Sequence, residues 1–301
     1  MCGKIERIIY ENTDNKRLDK FLPDNFPELT RTAAAGLIEK GFCEINGMVT
    51  AKNYKLKYGD ELRIIFPEAV KTDILPEELD VEIVYEDNDL LIVNKRRGMV
   101  VHPAHGHSGG TLVNFLMHHC GESLSGINGE IRPGIVHRID KNTSGLLLAA
   151  KNDFTHNGLS AQLKEHSVTR EYQAAVSGVI KENGTVNAPI GRHKTKRKEM
   201  CVNGINPRNA VTHYEVIKNY DNAAHLKIRL ETGRTHQIRV HMAYIGHPVL
   251  GDEVYGNGKP GWLEGQCLHA GKLGFVHPRS GKYMEFESGL PEYFVKLINN
   301  L

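Results

Sequence analysis

Asp140 lies in a segment of the sequence that is unusually dense in polar side chains. His137, Arg138 and Lys141 surround it, and the apolar residues 146–150 follow closely. An apolar run of this length predicts a buried strand, and polar loops held by a rigid strand commonly carry catalytic side chains. Composition alone favours a turn with solvated charges. A catalytic carboxylate held among cations is the alternative.

A second polar segment covers residues 232–241 and contains Arg234, His236 and Arg239. The apolar residues 242–245 follow it, and we expect a helix over residues 238–245 that ends before Gly246. A guanidinium group binds a carboxylate or a phosphate through parallel hydrogen bonds. The segment therefore predicts a site for an anionic group or, on the simpler interpretation, a helix N-terminus with ordinary surface arginines.

Two other patterns are weaker indications of chemistry. Residues 106–110 match the G-x-S-x-G pattern that places a hydrolase nucleophile, here Ser108, on a turn between a strand and a helix. Residues 102–105 separate this pattern from the preceding strand, so a flexible glycine loop is the favoured interpretation. The 16 histidines include no H-E-x-x-H or comparable signature, and we expect no metal site.

Composition limits the classes of function. The chain has 301 residues, of which 40% are hydrophobic and 25% charged, as in ordinary globular proteins. It contains neither an apolar run of about 18 residues nor a visible signal peptide, and its five cysteines form no C-x-x-C pair. These features predict a cytoplasmic protein without a membrane partner or a disulfide framework. The net charge of +2 does not by itself indicate nucleic-acid binding.

Positive charge is instead concentrated locally. One run between predicted strands contains Arg192, Lys194, Lys196, Arg197 and Lys198, and we call residues 192–198 the basic segment. A solvated loop is the usual explanation of such a run. Contact with the phosphates of a nucleic acid is the alternative.

The order of the predicted elements indicates an α+β protein with two domains. Residues 1–68 predict helices at 17–22 and 33–38, the second capped by Thr30 or Thr32, then a hairpin at Asn46-Gly47 and a strand at 61–66. The polar residues 69–80 predict a linker. For residues 81–301 we expect strands at 81–85, 90–93, 146–150, 173–180, 209–219 and 224–231 and helices at 111–117, 159–165 and 238–245.

Residues 132–146 resemble the signature motif of the RluA-type pseudouridine synthases. Residues 233–239 and 246–252 resemble the later arginine-bearing motif of that family, and Tyr172 fits its active-site tyrosine. Residues 17–66 resemble the S4 RNA-binding module that many members carry. The resemblance implies a mixed, largely antiparallel sheet for the catalytic domain, residues 81–301, preceded by a small α/β S4-like domain.

The resemblance implies isomerisation of uridine to pseudouridine in RNA. The C1′–N1 bond breaks, the uracil turns, and C5 bonds to C1′, so neither a cofactor nor a metal is needed. Asp140 would be the essential carboxylate, by attack at C1′, by attack at C6 or by removal of a ribose proton. Arg239 would pair with Asp140 and keep it ionised, and Tyr172 would pack on the uracil.

RNA is the partner that the resemblance implies. We expect large-subunit ribosomal RNA as the substrate, with transfer RNA as the alternative, and a monomeric enzyme. RNA contacts are expected from the basic segment and from four further side chains: His137, Arg138, Arg234 and His236. Two competing hypotheses are a non-catalytic RNA-binding protein, which leaves the polar density around Asp140 unexplained, and a hydrolase acting through Ser108.

Overall fold

The computed structural model gives the fold of most of the chain. It describes residues 4–26, 29, 31–66, 74–103, 109–121, 124–125, 133–196, 198–256, 258 and 261–301, with the backbone alone at residues 4, 32 and 33. The described residues form two compact units, one within residues 4–66 and the other within residues 74–301. The domain boundaries expected at residues 68 and 81 stay a prediction.

Two helices and a four-stranded antiparallel sheet form the N-terminal unit. Its elements are β1 (Lys4–Ile9), α1 (Leu18–Asn25), α2 (Arg31–Glu39), β2 (Cys43–Ile45), β3 (Met48–Val49) and β4 (Glu61–Phe66). The strand order is β1-β4-β2-β3. Leu62 and Ile64 of β4 are buried in one core with Leu18, Leu22 and Ile38 of the helices, and this apolar burial holds the helices on the sheet.

Most of the elements predicted for this unit are confirmed. β2 and β3 form the expected hairpin, and the turn residues Asn46 and Gly47 have φ values of 51° and 77°, as a type I′ turn requires. α2 begins at Arg31, so Thr32 lies inside the helix rather than at its N-cap. Thr30 lies outside the described residues. The prediction lacks β1, which pairs with β4, a strand far away in the sequence.

The larger unit is built around one mixed sheet. Its elements are β5 (Glu82–Glu86), β6 (Leu90–Lys95), α3 (Leu112–Cys120), β7 (Ser144–Ala150), α4 (Asp153–Lys164), β8 (Thr169–Ser177), β9 (Gly184–Asn187), β10 (Ile190–Arg192), β11 (Met200–Val202), β12 (Ile205–Arg208), β13 (Val211–Asn219), β14 (Ala223–Leu230), α5 (Gln237–Tyr244), β15 (Leu268–Val276), β16 (Tyr283–Glu287) and α6 (Glu292–Ile298). The sheet order is β5-β6-β7-β15-β8-β14-β13-β9, with β16 paired to β15, and β10 to β12 form a separate small sheet. In the large sheet β7–β15 is parallel and the other pairs are antiparallel. The expected α+β fold with a largely antiparallel sheet is confirmed.

β7 is a central strand, and all of its residues are buried. Leu147 and Ala149 face the core that also contains residues of α3 and α5, whereas Leu146 and Leu148 face a second core with Leu159 of α4. A strand that is covered on both faces carries a continuous apolar run instead of an alternating one. The apolar run at residues 146–150 is therefore explained by the burial of β7 on both faces.

Gly145 allows β7 and β15 to approach each other closely. Its φ is 113°, and a Cβ at this position would lie 2.2 Å from Ala270 O in β15. The two strands pair only at Ser144 and Gly145 within the described residues, and farther along β7 Ile135 forms a bridge to Ala149. Beyond Gly145, β15 no longer pairs with β7 in the described part of the chain. The segment that leads to Asp140 lies along this part of the edge of β7.

The remaining differences from the prediction have local causes. The prediction lacks β15, in which His269, Lys272 and two glycines interrupt the apolar pattern, and it gives no bounds for β9 to β12, β16 and α6. α4 begins at Asp153 after the N-cap Asn152, earlier than the apolar residues indicate. None of the helices in the described part of the chain combines the length and the apolar content that crossing a bilayer requires.

The predicted linker, residues 69–80, is described from residue 74 onward. Asn114 Nδ2 donates to Leu75 O at 2.7 Å, and the N–H of Glu77 donates to Asn114 O at 3.1 Å. Leu79 packs against the core of the larger unit. These residues are therefore part of the larger unit, while residues 67–73 lie outside the described residues.

Candidate active site

The loop before β7 holds Asp140 through contacts on both sides. Ile139 is buried in the core, and the N–H of Thr143 donates to Asp140 O at 3.1 Å. The N–H of Leu148 donates to His137 Nε2 at 3.0 Å, so this imidazole takes the place of a backbone carbonyl of a neighbouring strand. The side chain of Asp140 is 19% exposed. The loop is fixed while its carboxylate stays accessible.

A buried lysine supports the same loop. Lys95 has no exposed surface, and its Nζ donates to the backbone oxygens of Arg96, Met99 and Lys141 at 3.0, 2.9 and 3.1 Å. Burial lowers the pKa of Lys95 to about 7, against the opposing effect of the negative charge on Asp140. Because Lys141 follows Asp140 directly, Lys95 ties β6 to the loop at the carboxylate.

Polar contacts also place the first turn of α5. Gln237 Oε1 accepts hydrogen bonds from Thr232 Oγ1 and from the N–H of Arg234, at 2.8 and 2.9 Å. Gln237 Nε2 donates to Val211 O and to Thr212 Oγ1, both at 3.0 Å. Buried polar groups require such partners, and this explains why the sequence is dense in polar side chains here.

Arg239 binds two carboxylates at once. Its Nη1 donates to Asp140 Oδ2 at 2.9 Å, while Nε and Nη2 donate to the two oxygens of Asp252 at 2.7 and 2.9 Å. The side chains of Arg239 and Asp252 are 7% and 0% exposed. Burial alone would lower the pKa of Arg239, but the two carboxylates raise it above its ordinary value. The structure thus brings Arg239 and Asp140 together, as the family resemblance implies.

Asp252 is a residue of this site to which the sequence analysis assigns no role. Besides Arg239, it binds the N–H groups of Val254 and Tyr255, at 2.9 and 3.1 Å. Burial alone would raise the pKa of Asp252, but the hydrogen bonds from Arg239 and the two N–H groups outweigh it and lower the pKa. Asp252 holds Arg239 in the orientation that reaches Asp140. The sequence signal that could have identified Asp252 is its position as the acid at the end of the motif at residues 246–252.

Tyr172 lies in β8 and belongs to the same core as Ile139. Its ring is 8% exposed. Burial raises the pKa of its hydroxyl, an effect that Arg170 opposes and the charge of Asp140 reinforces. The phenol is therefore neutral at neutral pH. Tyr172 lines a different cleft from Asp140, together with Gln173, Ile217 and Lys272.

A cleft of about 240 Å³ opens beside Asp140. Its lining includes three cationic side chains, Arg138, Lys141 and Arg239, and two carboxylates, Asp140 and Glu253. Clefts lined by positive charge attract anionic ligands and concentrate them. The arrangement is a carboxylate in the wall of a cleft with an excess of positive charge, held by a buried guanidinium.

Comparison with known proteins identifies the family. Residues 89–244 match the family described as RNA pseudouridylate synthase. The uncharacterized RNA pseudouridine synthase YlyB of Bacillus subtilis is 51% identical over 300 residues, which cover 99% of this chain and 98% of that protein. The chain belongs to the RNA pseudouridine synthase family. It is an isomerase that acts on RNA.

Other relatives of the synthase also match along most of their length. The ribosomal large subunit pseudouridine synthase D of Zymomonas mobilis is 45% identical over 288 residues, covering 92% of this chain and 90% of that protein. The enzyme of the same name from Haemophilus influenzae is 40% identical over 300 residues, covering 95% and 91%. The solved structure of human RNA pseudouridylate synthase domain containing 1 aligns with a TM-score of 0.58 and 26% identity, over 73% of this chain and 94% of that one.

The side chains expected to contact RNA are placed differently from one another in the synthase. Arg138 is exposed and lines the cleft. Arg234 is half-buried, and its Nε donates to Asn209 O at 2.9 Å. His236 lies with Nδ1 2.8 Å from Tyr255 Oη and Nε2 3.9 Å from Asp140 Oδ1.

His137 is half-buried, and its expected contact with RNA stays a prediction. Burial, reinforced by the charge of Arg170, lowers the pKa of His137 to about 3, so the ring is neutral at neutral pH. Its Nε2 accepts a hydrogen bond from β7 and faces the sheet. The geometry supports a structural function of His137 in holding the loop.

The basic segment links β10 to β11 in the small sheet. Lys194, Lys196 and Lys198 are exposed, and Lys196 Nζ lies 3.2 Å from Glu199 Oε1. Arg192 is exposed at the end of β10, and Arg197 lies outside the described residues. The described lysines are available to an RNA backbone.

The structure does not test the hydrolase interpretation, because Ser108 lies outside the described residues, as do His105 and His107. A separate cluster, Asp87, Asp89 and His277, brings three potential metal ligands within 4.8 Å of one another. Arg279 forms two hydrogen bonds of 2.6 Å with Asp89, and His277 lies 3.0 Å from Asp87. The guanidinium of Arg279 thus already pairs with Asp89 in this cluster, which joins β6 to the turn before β16.

Proposed function

We propose that this RNA pseudouridine synthase modifies uridines of large-subunit ribosomal RNA and that Asp140 is its catalytic carboxylate. The observation that carries the proposal is the buried Arg239, which binds Asp140 Oδ2 at 2.9 Å beside a basic cleft. A guanidinium stabilises the negative charge of a carboxylate. Oδ1 accepts no hydrogen bond from the described residues and is the oxygen available for the reaction.

The isomerisation needs no oxidant and no net hydrolysis. The C1′–N1 bond breaks, C5 bonds to C1′, the hydrogen on C5 leaves as a proton and N1 takes up a proton, so atoms and electrons balance. Asp140 starts the reaction by attack at C1′, by attack at C6 or by removal of a ribose proton. The packing of the Tyr172 ring on the uracil stays a prediction. Arg239 keeps the carboxylate in place throughout.

Ribosomal RNA is supported by the relatives from Zymomonas mobilis and Haemophilus influenzae, whose names specify the large subunit. A uridine must leave its stack to reach Asp140, at a cost of a few kcal/mol. Contacts from Arg138, Arg234 and the basic segment to the phosphates would offset this cost. The expected monomer and the cytoplasmic location stay predictions.

Transcripts that carry tritium at C5 of uridine test the proposal, because each conversion releases the C5 hydrogen into water. We expect release from large-subunit ribosomal RNA and none from the same RNA with the Asp140→Asn protein. Release from transfer RNA alone would contradict the choice of substrate. Release by the Asp140→Asn protein at the wild-type rate would contradict the role of Asp140.

A further inference from the structure

Tyr255 joins the small sheet to the active site. Its hydroxyl accepts a hydrogen bond from the N–H of Met200 in β11 at 2.8 Å and lies 2.8 Å from His236 Nδ1. Its own N–H donates to Asp252, the carboxylate that holds Arg239. A neutral phenol has one proton to donate, and among the described residues His236 Nδ1 is the acceptor within reach. The hydroxyl proton of Tyr255 therefore points to His236.

This bond determines the tautomer of His236. In a neutral imidazole one ring nitrogen accepts a hydrogen bond and the other carries the proton. Since Nδ1 accepts from Tyr255, the proton is on Nε2, which is the nitrogen 3.9 Å from Asp140 Oδ1. Burial lowers the pKa of His236, and the neighbouring charges of Asp140, Arg239, Asp252 and Arg138 act on it in opposing directions.

We propose that His236, in the tautomer set by Tyr255, is a positioning residue that directs Oδ1 of Asp140 toward the uridine. Arg239 binds the other oxygen, Oδ2. Arg239 and His236 therefore lie beside different oxygens of the same carboxylate. The 3.9 Å separation exceeds hydrogen-bond length. Such bonds are often long without substrate and shorten when it binds. The inference rests on the proposed role of Asp140.

The backbone of His236 makes a discriminating test possible. His236 is the N-cap of α5 and has φ 57° and ψ 19°, in the left-handed region. Asparagine adopts this conformation more readily than glutamine. A residue needed only for its backbone shape is therefore replaced best by asparagine. The amide nitrogen of glutamine, in contrast, reaches the position of Nε2, whereas that of asparagine reaches the position of Nδ1.

The first experiment measures ¹⁵N chemical shifts of the histidine rings in the full-length protein. We expect His236 to show a protonated Nε2 and an unprotonated Nδ1 at pH 7.5. In the Tyr255→Phe protein the signal of Nδ1 should move toward that of a protonated nitrogen. A proton on Nδ1 in the wild type would overturn the proposal. This result does not depend on activity, so it is separate from the test of Asp140.

The second experiment compares single-turnover rates and RNA dissociation constants. We expect His236→Gln to remain within about threefold of the wild-type rate and His236→Asn to be about tenfold slower, the worth of one hydrogen bond. Tyr255→Phe should be several-fold slower. RNA affinity should stay unchanged in all three. Tyr244→Phe, at an exposed hydroxyl on the same helix, is the control and should match the wild type.

Two outcomes of these rate and binding measurements would also overturn the proposal. Equal or higher rates for His236→Asn than for His236→Gln would indicate that His236 serves α5 through its backbone. Weaker RNA binding at an unchanged rate would indicate a contact with RNA. Thermal melting of each variant shows whether it is folded, and if His236→Gln does not fold, the ¹⁵N shifts and Tyr255→Phe decide the question.

Discussion

Arg239 compensates the negative charges of the two carboxylates in the site. It lies between Asp140 and Asp252 and uses three nitrogens to bind them. Without it, two carboxylates would face each other in a poorly solvated environment, where like charges repel strongly. The consequences of single substitutions follow from this arrangement.

Asp140→Asn should abolish activity while RNA binding persists. The amide preserves shape and much of the hydrogen bonding but removes the negative charge that the proposed chemistry needs. We expect the rate of tritium release to fall by about 10³-fold or more. Asp221→Asn, at an exposed turn residue, is the matched control and should be fully active. Turnover by the Asp140→Asn protein at a rate near that of the control would remove Asp140 from the mechanism.

Arg239→Lys should impair catalysis although the positive charge remains. One ammonium group cannot reproduce three directed hydrogen bonds to two carboxylates. We expect the single-turnover rate to fall by about 100-fold and the free energy of unfolding by about 2 kcal/mol, because Asp252 loses its partner. Arg229→Lys, on the exposed side of β14, serves as the control. Single-turnover rates at the wild-type level for both variants would show that catalysis does not depend on the guanidinium of Arg239.

Lys95 should make stability depend on pH. Its pKa is about 7 in the folded protein and near the ordinary lysine value of about 10.5 when unfolded. Between these values the unfolded chain binds more protons, so the stability of the wild type should rise with pH in this window. Urea unfolding at pH 7 and 9.5 should show this rise, by roughly 1–3 kcal/mol relative to Lys95→Met. An identical pH dependence in both proteins would contradict the shift.

At the scale of elements, the small sheet links the basic segment to the site. β11 begins at Met200, whose N–H donates to Tyr255, and the exposed lysines of the basic segment precede it directly. The lysines therefore lie on an element that is hydrogen-bonded to the residues around Asp140. This placement favours contact with the RNA that delivers the uridine.

Replacing Lys194, Lys196 and Lys198 with alanine should weaken RNA binding. It should also make the binding constant depend less steeply on salt concentration. Each neutralised phosphate adds about 0.7–0.9 to the slope of log K against log salt, so the slope should fall by about two units. Lys164 in α4 and Lys181 and Lys282 in two loops are exposed elsewhere in the larger unit, and their triple alanine variant is the control. An unchanged slope in the first variant would make the basic segment an ordinary solvated loop.

At the scale of the whole molecule, the active-site residues all belong to the larger unit, and residues 74–80 pack on that unit. The N-terminal unit has its own core. Part of its positive charge is already paired, because Asp19 binds both Arg17 and Arg31 at 2.9 Å. It therefore has less free charge for RNA than its arginines suggest.

Deletion of residues 1–68 should leave a folded enzyme that modifies a short uridine-bearing RNA. On complete ribosomal RNA we expect moderately weaker binding, by less than the loss caused by the three lysine substitutions. Circular dichroism, tritium release and binding across a salt series measure the three properties. A truncated protein that is folded but inactive on the short RNA would show that catalysis needs the N-terminal unit.

Local sequence patterns by themselves determined many of the elements of this protein and the positions of its main site residues. The apolar run 146–150, the turn at Asn46-Gly47 and the polar segment that begins α5 each predicted an element that is present. The motifs around Asp140 and Arg239 indicated the family and the two residues that meet in the site. These features depend on short stretches of chain, whose periodicity and turn chemistry are visible without the fold.

Tertiary structure alone decided how those residues work together. β15 has no clear apolar pattern, yet it pairs with β7 and β8, because its place depends on partners far away in the sequence. Asp252, Tyr255 and Lys95 are joined to the site by hydrogen bonds to other segments of the chain. His137, which was expected to contact RNA, accepts a hydrogen bond from β7, and this contact is visible only in the folded chain. Burial and hydrogen-bond partners are properties of the folded chain, and they set the charge and orientation of every group in the site.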